Sequence, residues 1–392
     1  MQAPLFLTRE PLLDPARKVL AYSLNWQAIA STGHDCERLL LLLASELNDA
    51  AQGWTLLRGH LVVPATPEVL RSAVPQTLWA PSVTFNLDAE DSLDADTCTA
   101  LRRRGFGIGV RGVPAELALA AHATFFELDG SATYLRAQLS DVAGLRSRDS
   151  RVALRNIASW AQYESCAAAG IDVYAGRLVR APVPPHAGGL NSTQSNILQI
   201  INLVNRNADV RDIEAALKRE PAVSFKLFRY INSAGVSPGA EITSLRHAVT
   251  MLGYRALYRW LSVLLASSSS STYSAALMQT AVIRGRLVEL LGQGLVPKYE
   301  SENLFVAGMF SLLDQMLGMP MQKVLEKVPL AEPLAHALTD RRGVYGPFLA
   351  LAESCEDDSG NSRRLADRLF MEAEQVNAAH LAALVWAMNL QV

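Results

Sequence analysis

The stretch "RAPVPPHAGGLNSTQ", residues 180–194, decides how the chain divides. Its three prolines and two glycines fall within a few residues and mark a linker. Upstream, short extended runs alternate with helical ones. "LFLTREPLL", "KVLAYSLNW", "SVTFNLD", "FGIGVRG", "ATFFELDG" and "DVYAGRLV" read as strands. Between them, Asp35 reads as the N-cap of "CERLLLLLASELNDAAQ". Asp94 or Asp96 opens "TCTALRRR", and Gly105 closes it. "VALRNIASWAQYESCAAAG" reads as a long helix closed by Gly170. Alternation of this kind implies parallel strands joined by helices, an α/β sheet or barrel. Downstream, Asp209 caps "VRDIEAALKRE", Pro221 suits the first turn of "PAVSFKLFRYINSAG" before Gly235, and Ser244 caps "LRHAVTMLGYRALYRWLSVLLA". The expected division is an α/β domain over residues 1–185 and an all-α domain over residues 186–392.

The totals agree with two cored domains: 392 residues, half of them hydrophobic. A formal net charge of −2 argues against broad, unspecific nucleic-acid binding, which needs a strong positive field. Cys36, Cys98, Cys166 and Cys355 form no CxxC pair and read as reduced thiols. The first residues, "MQAPLFLTREPLLD", lack the cationic start and apolar run of a signal peptide, and "WLSVLLA" is too short to span a bilayer. A cytoplasmic protein without membrane contact is the expectation.

Tempting motifs have plainer readings. "GIGVRG", residues 107–112, fits G-x-G-x-x-G, yet its glycines fall inside the expected strand and not between a strand and a helix. His34-Asp35 is the single His-Asp pair, and the remaining histidines are isolated, so a metal cluster is not expected. "LRRRGF" suits a solvated helix C-terminus, where cations favour the dipole.

Several stretches carry a resemblance. "LTREPLLDPARKVLAYSLNW", "VTFNLD", "GFGIGV", "FFELDG" and "GIDVYAGRLVRAP" are similar, in order, to blocks of EAL domains, the barrels that hydrolyse cyclic di-GMP. "EPAVSFKLFRYINSAG", "ITSLRHAVTMLGYRALYRWL", "LFVAGMFSLLDQMLGMPMQKVLEKVPL" and "ALTDRRGVYGPFLAL" resemble HDOD domains, helical relatives of HD phosphohydrolases that lack their metal site. The order matches YuxH-type EAL–HDOD signalling proteins. The resemblance implies a degenerate EAL-like barrel, short for its fold and so expected to lack a helix or strand, followed by an HDOD domain. It places Ser23 at the signature glutamate, Arg111 and Gly112 at paired aspartates, Glu127 at a lysine, Ala158 at a later glutamate and Ala175 at a glutamine. Asn86 and Asp129 alone remain as ligand types. In the helical half, Ser311 and Leu312 stand where the His-Asp pair would. On a continuous helix Asp314, two residues beyond Leu312, is rotated by roughly 200° away from that position.

These substitutions lead to the expectation of no catalytic residue, cofactor or metal. The expected role is a non-enzymatic bacterial signalling or scaffold protein in a cyclic di-GMP-related pathway. Expected partners are proteins, GGDEF or HD-GYP signalling proteins among them, or a second copy in a homodimer. The candidate interaction surface is Arg229, Asn232, Arg246, Arg255 and Arg259, residue types enriched at interfaces. The alternative is a non-catalytic receptor for cyclic di-GMP or another nucleotide.

Overall fold

The computed structural model describes residues 4–27, 32–47, 60–78, 82–114, 116–145, 149–167, 171–181, 190–231, 244–268, 274–297, 300–327 and 330–388. The chain forms two compact units, residues 1–182 with 350–392, and residues 183–349. The first division falls in the Pro/Gly stretch. The second departs from the expected 186–392 domain, because residues 350–392 return to the barrel. The reason is direct pairing: Asn377 binds the backbone of Leu5 and Leu7, and Gln27 binds that of Ser354, Asp357 and Ser362.

Eight strands close into a barrel in sequence order: β1 Leu7–Leu13, β2 Val19–Trp26, β3 His60–Pro64, β4 Val83–Asp88, β5 Gly107–Arg111, β6 Phe125–Asp129, β7 Arg151–Ile157 and β8 Val173–Gly176. β1 is antiparallel to β2 and β8, and the other neighbours are parallel. Of the helix or strand expected to be missing, no strand is: all eight are present, and β1 and β2 are joined as a hairpin, which needs no crossover helix. Their turn is tied by Asp14, which accepts from the Lys18 N–H at 2.8 Å. Leu12, Val62, Phe125, Ala153, Val173 and Ala175 fill the barrel interior.

The glycines of "GIGVRG" have a packing role. A Cβ on Gly107 would lie 2.2 Å from Thr84 Oγ1, and one on Gly109 would lie 2.8 Å from Asn86 Oδ1. Both glycines therefore make room for β4 side chains. Among the expected helices, Asp94 caps Ala95–Arg104 and Gly105 ends it at φ 98°. Two expectations are corrected. The first helix begins at Gly33, and Thr32, not Asp35, takes the capping position. The Thr32 hydroxyl accepts from the Asp35 N–H at 3.3 Å and donates to its carboxylate at 2.6 Å. The long helix read from residue 152 is a strand, β7, followed by a short helix, Trp160–Ala167.

The second unit is helical: Ser192–Asn205, Val210–Lys218, Pro221–Ile231, Leu245–Ser267, Ser274–Gly292, Ser301–Phe310, Leu313–Leu317, Met321–Lys327 and Glu332–Asp340. Asn191 and Gln194 form a capping box at its first helix. Asp209 and Ser244 cap as expected, while Gly170 and Gly235 lie outside the described residues. Gly253, at φ 74° and ψ 162°, kinks the helix that contains it.

Ser274–Gly292 and Ser301–Phe310 cross at paired glycines. A Cβ on Gly308 would stand 2.6 Å from Gly285 Cα and 2.7 Å from the Arg284 carbonyl oxygen. Backbone cannot yield as a side-chain tip can. Gly308→Ala is therefore expected to destabilise the helical unit by about 1–3 kcal/mol, the usual range for overpacking. A urea-denaturation midpoint equal to the parent's would refute this.

Candidate functional site

Barrels of parallel strands carry their chemistry at the C-terminal ends of the strands. Here that end gathers Ser23, Asn86, Asp88, Arg111, Glu127, Asp129 and Arg155, with Glu10 entering from β1. The register places Asp88 beside Arg111, Arg111 beside Glu127, and Asp129 beside Arg155. Arg111 Nε donates to Glu127 at 3.0 Å and its terminal nitrogen to Asp88 at 3.2 Å. Asn86 Nδ2 donates to the other Glu127 oxygen at 3.1 Å. Arg155 stands 3.7 Å from both Glu127 and Asp129.

The EAL resemblance assigns an acid to the Arg111 position and a lysine to the Glu127 position. In this structure Arg111 and Glu127 form a cross-strand pair between β5 and β6.

Each acid of the ring has a distinct environment. Burial works against the Asp129 charge, but hydrogen bonds from the Ser131 hydroxyl, the Ser131 N–H and Asn156 hold its carboxyl below the usual range. Burial also opposes the Arg111 charge, which Glu127 and Asp88 more than offset. Glu10 is different. Burial, and then the Glu127 charge, raise it to about 7 against the pull of Arg155 and Arg177. The barrel mouth thus holds a network of ion pairs in which guanidinium groups take up carboxylate charge. Among the described residues, no group of three or more His, Cys, Asp or Glu is placed to hold a metal ion. Ala158 and Ala175 supply no polar side chain.

The helical unit has a cleft of about 410 Å³ lined by Ser311, Asp314, Pro320, Met321, Gln322, Leu338, Thr339 and Arg341. The expected rotation of Asp314 away from the Leu312 position rests on one helix, but the helix is broken: Ser301–Phe310 ends, Ser311 and Leu312 form a turn, and Leu313–Leu317 begins anew, with Ser311 and Asp314 both lining the cleft. Ser311 Oγ donates to the Gly308 carbonyl at 2.6 Å and accepts from buried Arg284 at 2.7 Å. Burial raises the Asp314 carboxyl pKa. The buried Arg284 guanidinium thus holds the Ser311 hydroxyl at the helix break.

Three of the five candidate interface residues have described side chains. Arg259 is clamped by both oxygens of Glu289 at 2.7 and 3.0 Å and lies over the Phe305 ring. Arg246 pairs with Glu214 at 2.8 Å. Arg255 is exposed. The Arg229 side chain and Asn232 lie outside the described residues.

Residues 190–328 match the HDOD domain family. Over 234 residues the chain is 21% identical to the uncharacterized protein YuxH of Bacillus subtilis, covering 58% of this chain and 56% of that protein. Over 180 residues it is 29% identical to the cyclic di-GMP phosphodiesterase CdgJ of Vibrio cholerae, covering 45% of this chain and 41% of that one. The chain thus spans about half the length of the curated relatives it matches. Among solved structures, the EAL domain of Mycobacterium smegmatis DcpA aligns with 16% identity and a TM-score of 0.36, covering 44% of this chain and 90% of that one. The PaMucR phosphodiesterase in its c-di-GMP complex aligns with 14% identity and a TM-score of 0.37, covering 46% and 98%. An eight-stranded barrel precedes the residues that match the HDOD family in this chain. No helix among the described residues is long and apolar enough to cross a membrane.

Proposed function

We propose that this EAL–HDOD chain is a non-enzymatic signalling protein in a cyclic di-GMP-related pathway, acting through contacts with other proteins. The observation that carries the reading is the charge arrangement of the barrel mouth. Hydrolysis of a phosphodiester by a metal-dependent barrel needs carboxylates free to hold cations and activate water. Here Glu127 is engaged by Arg111 and Asn86, Asp88 by Arg111, and Asp129 by Ser131 and Asn156. A shape kept without free ligands suits an interaction module.

The receptor alternative meets the same obstacle. Glu10, Asp88, Glu127, Asp129 and Asp358 outnumber Arg111, Arg155 and Arg177 around the mouth, so a dianionic nucleotide would enter a net-negative site. Calorimetry with micromolar cyclic di-GMP is expected to give no saturable heat, and incubation with Mg²⁺ or Mn²⁺ no turnover. Saturable heat would favour the receptor. Turnover abolished by Asn86→Ala would restore an enzyme. Crosslinking in the native cell is expected to capture a GGDEF or HD-GYP protein, and failure to return any specific protein would remove the scaffold reading.

A further inference from the structure

The whole chain carries a formal net charge of −2, yet residues 210–231 and 244–255 hold seven Lys and Arg against three acids, Asp212, Glu214 and Glu220. That stretch has a net charge of +4 and leaves −6 to the rest of the chain. It builds Val210–Lys218, Pro221–Ile231 and the start of Leu245–Ser267, three helices that pack on one another. Ile213, Leu217, Val223, Leu227, Ala248 and Val249 are their buried residues, and the charged residues lie on the other faces.

Cations and acids are exposed unequally here. Arg211, Lys218, Arg219, Lys226, Arg246 and Arg255 are exposed, whereas Asp212 is the one exposed acid among the described residues of the three helices. Glu220 is half-buried and accepts from Asn196. Glu214 is shared by Lys218 at 2.7 Å and Arg246 at 2.8 Å. One carboxylate thus fixes Arg246 beside Lys218, across two helices. Ser224 Oγ donates to the Leu217 carbonyl at 2.7 Å and holds the start of Pro221–Ile231 at the same corner. No ion pair engages Arg211, Arg219 or Lys226 among the described residues. Two large apolar side chains accompany these cations. Phe225, beside Lys226, is 66% exposed, and Met251, one turn after His247, is 53% exposed. A single exposed apolar residue is ordinary. Two of them among unengaged cations form a surface with a definite chemistry.

We propose that this corner, with Lys218, Arg219, Phe225, Lys226, Arg246 and Met251, docks an acidic segment of a partner protein that also carries an apolar side chain. Phe225 supplies the kind of aromatic anchor that interfaces favour, and the cations around it meet the segment's carboxylates at the rim. The charge balance selects a short segment over an extended polyanion. A membrane surface or a nucleic-acid duplex reaches beyond the corner, where the rest of the chain carries −6 and repels it. A segment that ends with the corner escapes that repulsion, because exposed charges more than about 8 Å apart are largely screened at physiological ionic strength. This inference rests on the proposed signalling role and names the chemistry of the partner.

Photocrosslinking of the full chain in the native cell tests it. Benzoylphenylalanine replaces Phe225, and in a control chain it replaces Tyr134, which is 61% exposed on the barrel unit. The probe at Phe225 is expected to capture a protein, and mass spectrometry of the adduct to place the crosslink in a segment of net negative charge. Arg219→Glu with Lys226→Glu is expected to lower that capture at least tenfold without changing capture at Tyr134. Both side chains are exposed, and a urea midpoint equal to the parent's verifies that the variant keeps its fold. A crosslink to a neutral or basic segment, an adduct with lipid or nucleic acid, or capture unaffected by the charge reversal would each overturn the inference. Capture at Tyr134 with none at Phe225 would overturn this surface and leave the signalling role standing. Capture at neither position would remove both.

Discussion

At pH 8, Glu10→Gln is expected to raise the stability of the barrel unit by up to about 3 kcal/mol, and at pH 4 to leave it nearly unchanged. One pKa unit corresponds to about 1.4 kcal/mol of differential interaction. Glu10 is raised from 4.5 to about 7, first by burial and then by Glu127. It retains some accessible surface, but it stands deep among the mouth residues, and that depth governs its solvation. A carboxyl whose folded pKa exceeds its unfolded value binds its proton more tightly when folded. Its contribution is therefore fully present below pH 4.5 and is lost as pH rises through about 7. Glutamine keeps the shape and removes the titration. Urea midpoints of both chains at pH 4 and pH 8 decide the matter. A variant less stable than the parent at pH 8 would mean that Arg155 and Arg177 hold Glu10 as a carboxylate that the fold needs.

Charge placement of this kind was only partly legible in the sequence. The EAL resemblance singled out Arg111 and Glu127 in the sequence, but their pairing required the β5–β6 register. The strand structure shows the same limit. Barrel strands are covered on both faces, so the period-two alternation disappears and a short apolar run looks helical. This is why β7, with Val152, Ala153 and Leu154 all buried, reads as the start of the helix that follows. β3, "HLVVP", carries no alternation either. Signals that act locally were readable: the caps Asp94, Asp209 and Ser244, the C-terminal Gly105, and the Pro/Gly division. The break at Ser311 was not, because it depends on a hydroxyl bonded to Gly308 and on Arg284 from another helix. The return of residues 350–392 to the barrel has no local signature at all. Arg9 and Glu356 are joined only by the fold.

The Arg9–Glu356 pair is expected to behave asymmetrically on mutation. Both side chains are almost wholly buried, at 1% and 6% exposure. Removing one partner of such a pair leaves a charge in a medium that solvates it poorly and typically destabilises by about 3–5 kcal/mol. Arg9→Met is expected to lose that much, since the flexible thioether replaces the volume but not the charge. Arg9→Met with Glu356→Met removes both charges and is expected to recover most of the loss, leaving mainly the lost bond to His380. Stability read from urea unfolding of the parent, both single variants and the double variant closes a cycle that isolates the pair. A double variant as unstable as Arg9→Met would show that the arginine acts through His380 and the Tyr22 ring, with Glu356 incidental. Recovery would show that the pair adds little net stability over an apolar contact and chiefly fixes one arrangement of residues 350–388 against β1.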